Sequence, residues 1–370
     1  MKNVLKWIVL VGIVAAAIIL QRVHAPLIVQ FIVSCIAVLP VAAWIGHGTE
    51  HLAHRLGPTY GALLNATFGN FAEMVIAVIA IREGLVDVVR ASLTGSILGN
   101  LLFVAGLAML MGGWKRESQK FNMLSAEAQG GQLILAVGGV LVPALFFRSA
   151  VQAHHPELIH QVSIGTSVIL LLSYVAGLYF SFKTHKHRLN ESAIGDTHEE
   201  IEQLELWSAK KATLVLLVSS ALMAVVAEGL VHTVDQAGRA WGLNEVFLGF
   251  IVLAIVGNAA EHSTAIVLAM RNQMDTALNI SMQSSVQIAL FVTPALVFVS
   301  YPLGHPLDLI FTPFEILAVG LGVAVFAYLV INGESNWYEG VQLLAVYAII
   351  AIALFFLPVA TSPAPEAHAP

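Results

Sequence analysis

The chain has 370 residues, of which 58% are hydrophobic and only 11% charged, with a formal charge of −6. A soluble globular protein is about 45–50% apolar and about 25% charged, so this composition excludes a chain that meets water alone. The modest charge, with its acidic excess in one loop, gives no sign of a nucleic-acid-binding face, and the single cysteine, Cys35, excludes both a disulfide framework and a cysteine-held metal.

Six apolar stretches come first, at about 4–20, 27–44, 60–81, 91–111, 129–147 and 162–182. Five more follow a polar interval, at about 212–231, 246–270, 277–300, 310–331 and 341–357. Each has roughly the 20 residues needed to cross hydrocarbon as a helix. The first stretch also carries marks of a signal peptide, with Lys2 and Lys6 ahead of an apolar core and Val23-His24-Ala25 imitating a cleavage site, but Pro26 directly after it argues against cleavage. The predicted architecture is therefore an all-α polytopic membrane protein with eleven transmembrane helices.

The Lys and Arg residues sort unequally between the two sides. If the amino terminus is cytoplasmic, Lys2, Lys6, Arg55, Lys115, Arg116, Lys120, Lys183, Lys186, Arg188, Lys210, Lys211 and Arg271 fall inside. Arg22, Arg82, Arg90, Arg148 and Arg239 fall outside. This bias predicts a cytoplasmic amino terminus and an external carboxyl terminus. The interval between spans six and seven, from His185-Lys186-His187-Arg188 through Glu191, Asp196, Glu199, Glu200, Glu202 and Glu205 to Trp207, then reads as an acidic cytoplasmic helix. It is either a solvated linker or a cation-attracting element. The Pro- and Ala-rich end from Thr361 to Pro370 reads as a disordered external tail.

The chain repeats itself. Adding 188 to Gly69-Asn70-Phe71-Ala72-Glu73 gives Gly257-Asn258-Ala259-Ala260-Glu261, and the same offset pairs Gly61 with Gly249, Ala77 with Ala265 and Ser96 with Ser284. Leu102, Phe103 and Val104 meet Leu290, Phe291 and Val292. An offset of 185 pairs His47, Glu50 and Gly57 with His232, Asp235 and Gly242, a difference that a three-residue loop insertion explains. The expected units are an extra helix at 1–24, a first five-helix repeat at 25–183, the acidic linker at 184–209, a second repeat at 210–358 and the tail at 359–370. Five spans is an odd number, so the second repeat enters the membrane upside down, as in many secondary transporters. Glu73 and Glu261 then approach the same midplane from opposite sides.

A carboxylate in mid-bilayer costs about 2.5–3.5 kcal/mol on insertion scales, so it faces a partner or a cavity and marks function. Gly69 and Gly257, one turn before each Glu, are expected to weaken the helix and free backbone carbonyls. Asn70, Asn258, Ser96, Asn100, Ser284 and Gln287 add neutral oxygens around the two charges. This is a cage for a hard cation, and its many flexible oxygens suit calcium better than magnesium. Buried carboxylates side by side also take up protons when no cation is present, so protons and calcium compete and the expected activity is exchange. His262 is a candidate for the proton path or for a packed structural histidine. Glu228, Glu50, His47, His232 and Asp235 form a second tier of proton-relay candidates, of which all but the deeper Glu228 sit near span ends, where interfacial roles are common. His154, His155 and His160 read as solvated.

The two Gly-Asn-x-Ala-Glu motifs, the second followed by His262, resemble the alpha repeats of the calcium/proton exchangers, the CAX branch of the calcium/cation antiporter superfamily. The resemblance covers nearly the whole chain, including the eleven spans, the acidic segment and Ser96, Asn100, Ser284 and Gln287. It implies Ca2+ as the transported substrate at Glu73 and Glu261, no cofactor, protons as counter-ions and the lipid bilayer as surroundings. It also implies alternating access in which spans two and seven, with the extra first helix, slide against the rest. Sodium/calcium exchangers of the superfamily typically carry Pro before the motif Glu, where this chain has Ala72 and Ala260, which tilts coupling toward protons. Sodium or potassium coupling on the same fold, and a cation channel, stay as alternatives. A hydrolase finds no support, since neither His-Glu-x-x-His nor Gly-x-Ser-x-Gly occurs. The lean chain points to a bacterial inner membrane, with an organellar membrane as the alternative; homo-oligomerisation is left open.

Overall fold

The computed structural model describes residues 2–152, 154, 155, 157–185 and 207–357. The acidic segment from Lys186 to Leu206 and the tail from 358 onward, for which a helix and disorder are expected, lie outside the described residues.

Everything long is helix. In chain order come α1 (Lys2–Arg22), α2 (Leu27–Phe68), α3 (Phe71–Arg82) and α4 (Val86–Leu98), the last running through a π-helical stretch, Gly99–Val104, into α5 (Ala105–Gly113). Next are α6 (Met123–Gln152) and α7 (Leu158–Tyr179). The second half comprises α8 (Ala209–Trp241), the short α9 (Glu245–Phe247) and a π-helical Leu248–Leu253 leading into α10 (Ala254–Met270). It continues with α11 (Met274–Gln287), a π-helical Ile288–Val292, α12 (Thr293–Ser300), α13 (Pro313–Leu329) and α14 (Trp337–Phe355). Eight helices among the described residues are long and apolar enough to cross a membrane.

The packing is that of a protein dissolved in lipid. Leu172, Leu214 and Ile349 point outward with more than half of their surface exposed, which a bilayer accepts and water does not. The central elements are the duplicated pair: the strongly apolar window of α4–α5 is 83% buried and that of α11–α12 is 72% buried, against 22–44% for the other candidate spans. Around them α2 lies along α8, and α1 packs on both; Val14 and Ala17 are buried there and Gln21 Nε2 donates to Val225 O at 3.5 Å.

The loops gather at two ends. At one, Arg116 donates to Met270 O at 3.1 Å, and a two-residue antiparallel pairing joins Gln119–Lys120 to Glu334–Ser335. At the other, Arg90 donates to Ile310 O at 3.0 Å and His160 Nδ1 lies 2.9 Å from Asp308.

Matched positions of the two halves share positive φ, although Gly57 (ψ 175°) and Gly242 (ψ 25°) differ in ψ. Gly57 and Gly242 both take positive φ, +79° and +65°, and so do Gly84 and its counterpart Asn272, +78° and +68°. Left-handed backbone is a recurrent choice only for Gly and, less often, Asn and Asp, so the offset of 188 aligns the turn at Gly84 and Asn272 as well as letters, while the offset of 185 pairs a kink inside α2 with the end of α8. The extra three residues of the second half fall after Gly242, where Asn244 caps α9 by accepting from the Phe247 N–H at 2.6 Å. Two of the π-helical stretches, Gly99–Val104 and Ile288–Val292, also correspond under the offset of 188.

Candidate functional site

The two motif glutamates meet in the middle of the bundle through the opposite motif's glycine. Glu73 stands in the first turn of α3 and is 8% exposed. A β-carbon placed on Gly257 would lie 3.0 Å from Glu73 Oε1 and 3.3 Å from its Cγ, and one on Gly69 would lie 3.7 Å from Glu261 Oε1. Each glycine is thus the floor beneath the other repeat's carboxylate.

This corrects the expected role of the glycines. The helix is interrupted at Gly69–Asn70, where Asn70 takes φ −100° and ψ 24°, but Gly257 and Asn258 lie inside the unbroken α10. The second helix is irregular one turn earlier instead, in the π-helical Leu248–Leu253, where Gly249 and Gly95 let that stretch and α4 approach backbone to backbone. Close approach, not helix opening, is the property the two motif glycines share.

The six polar neighbours expected from sequence form one network across the halves. Asn70 Nδ2 donates to Gln287 Oε1 at 2.6 Å, and the Ser284 hydroxyl donates to Asn70 Oδ1 at 3.4 Å. Asn100 Nδ2 donates to Ser284 Oγ at 3.0 Å and to Asn258 Oδ1 at 3.5 Å. Asn258 Nδ2 donates to Ser96 Oγ at 3.0 Å and to Ala254 O at 2.9 Å. All six are at least nine-tenths buried. The motif asparagine of each half is therefore held by the α4–α5 or α11–α12 helix of the other half.

Around Glu261 the hydroxyl of Ser284 is the facing polar side chain, while Glu261 Oε2 is closed off from solvent without a hydrogen-bond partner. A buried carboxylate oxygen left unpaired is costly, and no Lys, Arg or His of the described residues forms an ion pair with Glu73 or Glu261. Two carboxylates, two serine hydroxyls and four amide oxygens make a donor set of hard oxygens, matched to a cation such as calcium.

The proposed second tier lies elsewhere. His47 and Glu50 pair with each other at 3.9 Å on an exposed face. Glu228 sits 3.4 Å from Arg82 and is exposed. Asp235 pairs with Arg239 at 2.8 Å, and His232 is exposed. Glu228 thus faces outward from α8 beside Arg82 at the end of α3, away from the two motif glutamates. His262 is buried, with Nε2 unpartnered. Of the histidines expected to be solvated, His155 pairs with Glu157 in the open, whereas His160 bonds Asp308, which also accepts from the Tyr301 hydroxyl at 3.1 Å.

Two tyrosines escape the sequence reading. Tyr174, on the last span of the first half, stacks on Phe291 of the second half with ring centroids 5.6 Å apart, and Tyr347, on the last span of the second half, packs on Phe103 of the first at 5.3 Å. Both hydroxyls are buried without a partner. The available signal is position, since tyrosine in a membrane protein usually sits at the interface and these stand near mid-span.

Helices packed as lipid-facing layers around a buried pair of carboxylates, with each half completing the other's polar shell, define a membrane transporter for cations. The family model for sodium/calcium exchanger proteins matches residues 26–183 and 211–356, and the chain belongs to that family. It is 42% identical over 345 residues to the Ca(2+)/H(+) antiporter ChaA of Bacillus subtilis, covering 93% of this chain and 97% of the relative. It is 41% identical to the Ca(2+)/H(+) antiporter of Synechocystis, covering 89% and 91%. The solved structure of native YfkE superposes with a TM-score of 0.80 at 39% identity, covering 95% of this chain and 99% of that one. The crystal structure of the H+/Ca2+ exchanger CAX, at 14% identity and a TM-score of 0.71, shares the fold.

Proposed function

We propose that the protein exchanges Ca2+ for H+ by alternating access at Glu73 and Glu261. The observation that carries this reading is the reciprocal packing of Glu73 on Gly257 and Glu261 on Gly69, which brings two carboxylates from distant sequence to one buried place without a basic partner. Its support is the close similarity to proteins named Ca(2+)/H(+) antiporters over nearly the full chain.

The chemistry follows from charge balance. Two carboxylates in low-dielectric surroundings need compensation, and either a divalent cation or protons supply it. Ser96, Ser284, Asn70, Asn100, Asn258 and Gln287 offer neutral oxygens that replace part of the ion's water. A site stable only when filled by one partner or the other reorients loaded in both directions, and that is antiport. The matched turn at Gly84 and Asn272 and the matched π-helical stretches support two five-helix repeats, 25–183 and 210–358, of opposite orientation in an eleven-span protein. α1, α2 and α8 form the layer that slides. The basic residues clustered at the Arg116–Lys120 end support placing that end in the cytoplasm, with an external carboxyl terminus, in a bacterial inner membrane.

The test is Ca2+ uptake into proteoliposomes with an imposed pH gradient, repeated with the gradient collapsed and with sodium or potassium gradients in its place. Uptake that follows the proton gradient alone is the expected result. Uptake that follows sodium keeps the fold and the site but overturns the coupling ion.

A further inference from the structure

Every amide in the site has two ends, and only the oxygen end is of use to a cation. Asn70 shows how the ends are assigned. Its nitrogen is committed to Gln287 Oε1 at 2.6 Å, which leaves Oδ1 as the end offered toward Ser284. That assignment holds only while Gln287 keeps its own oxygen toward Asn70. Reversing Gln287 would set two NH2 groups face to face, Asn70 would reverse in turn, and the site would present N–H donors to an incoming cation.

Something must therefore hold the far end of Gln287. Its residue is 4% exposed, and the polar side chain facing it from α7 is Tyr174, also 4% exposed. Tyr174 is held in place by its stack on Phe291, one helical turn beyond Gln287, with the rings 27° from parallel. The tyrosine hydroxyl is closed off from solvent and stops short of a completed hydrogen bond. A buried hydroxyl with no partner is unfavourable by enough to require an explanation.

We propose that Tyr174 is a positioning residue whose hydroxyl accepts a hydrogen bond from the Gln287 amide nitrogen as the site loads, fixing the order that presents Asn70 Oδ1 to the cation. The relay runs from Tyr174 to Gln287 to Asn70 and crosses from the first half to the second and back. It rests on the cation site proposed above, since an amide orientation matters only if Asn70 contacts the ion.

The experiment is Tyr174→Phe, which keeps the ring and its stack and removes only the hydroxyl, assayed as Ca2+ uptake under a fixed pH gradient beside Gln287→Ala, the double variant and Glu73→Gln. The expected result is an increase of about fivefold in the Ca2+ concentration for half-maximal uptake, the loss of one net hydrogen bond. The maximal rate and the melting temperature of the purified protein should stay as they were. In the Gln287→Ala background the same change should add nothing further. An unchanged half-saturation in Tyr174→Phe, or an effect that multiplies undiminished onto Gln287→Ala, would overturn the relay. If Glu73→Gln abolishes uptake while Tyr174→Phe does nothing, the relay alone is wrong; if Glu73→Gln transports normally, the site itself is wrong.

Discussion

The two motif segments carry the same letters on different backbones. In the first half the chain breaks between α2 and α3 at Gly69–Asn70, and Glu73 enters at the start of a new helix. In the second half Gly257, Asn258 and Glu261 ride one uninterrupted helix whose irregular turn comes before them. What survives this difference is the approach of each glycine to the opposite carboxylate. The motif encodes a close contact, and each half reaches it by its own route.

The largest effects test whether the halves are equivalent where it counts. Glu73→Gln and Glu261→Gln should each abolish Ca2+ uptake while the protein still inserts and folds, because each removes a charge that the cation needs and leaves a side chain of the same size. Near-normal uptake in one of them would show that the halves divide the work rather than share it.

The glycines come next, and here the halves should part. A β-carbon at 257 would press on Glu73, so Gly257→Ala should lower the uptake rate about tenfold, from an overpacking cost of ~1–3 kcal/mol placed on the carboxylate. A β-carbon at 69 meets mainly the chain's own Asn65 carbonyl oxygen, 2.6 Å away. Gly69→Ala should therefore show itself first as a lower melting temperature. Finding the two losses exchanged would contradict the packing described for the site.

The serines give a smaller contrast. Ser284 bonds Asn70 and Asn100 and faces Glu261, whereas Ser96 bonds only Asn258 in the network. With each net hydrogen bond contributing about 1 kcal/mol, Ser284→Ala should raise the half-saturating Ca2+ concentration about thirtyfold and Ser96→Ala about fivefold. Smallest of all is Arg82→Gln, which cuts an exposed pair with Glu228; such pairs contribute about 0–1 kcal/mol, so melting temperature and uptake should both stay near those of the parent. A large loss there would make that pair part of the transport cycle.

Much of this was legible before any coordinates. Apolar runs of the right length, a polar pair of carboxylates inside them and a fixed offset between two motifs are local or periodic facts, and lipid as solvent allows few ways to satisfy a buried backbone other than helices. That is why the helices, the repeated motif and the six polar residues that form one network could be read directly. Glu228, Tyr174 and the glycines could not, for one shared reason. The sequence says how deep along a span a residue sits, but the direction it faces is set by which neighbour each helix packs against. α8 turns Glu228 outward to Arg82, α7 brings Tyr174 to Phe291 and Gln287, and the crossing of α3 with α10 turns a glycine from a hinge into a floor. Depth belongs to the chain; facing belongs to the packed bundle.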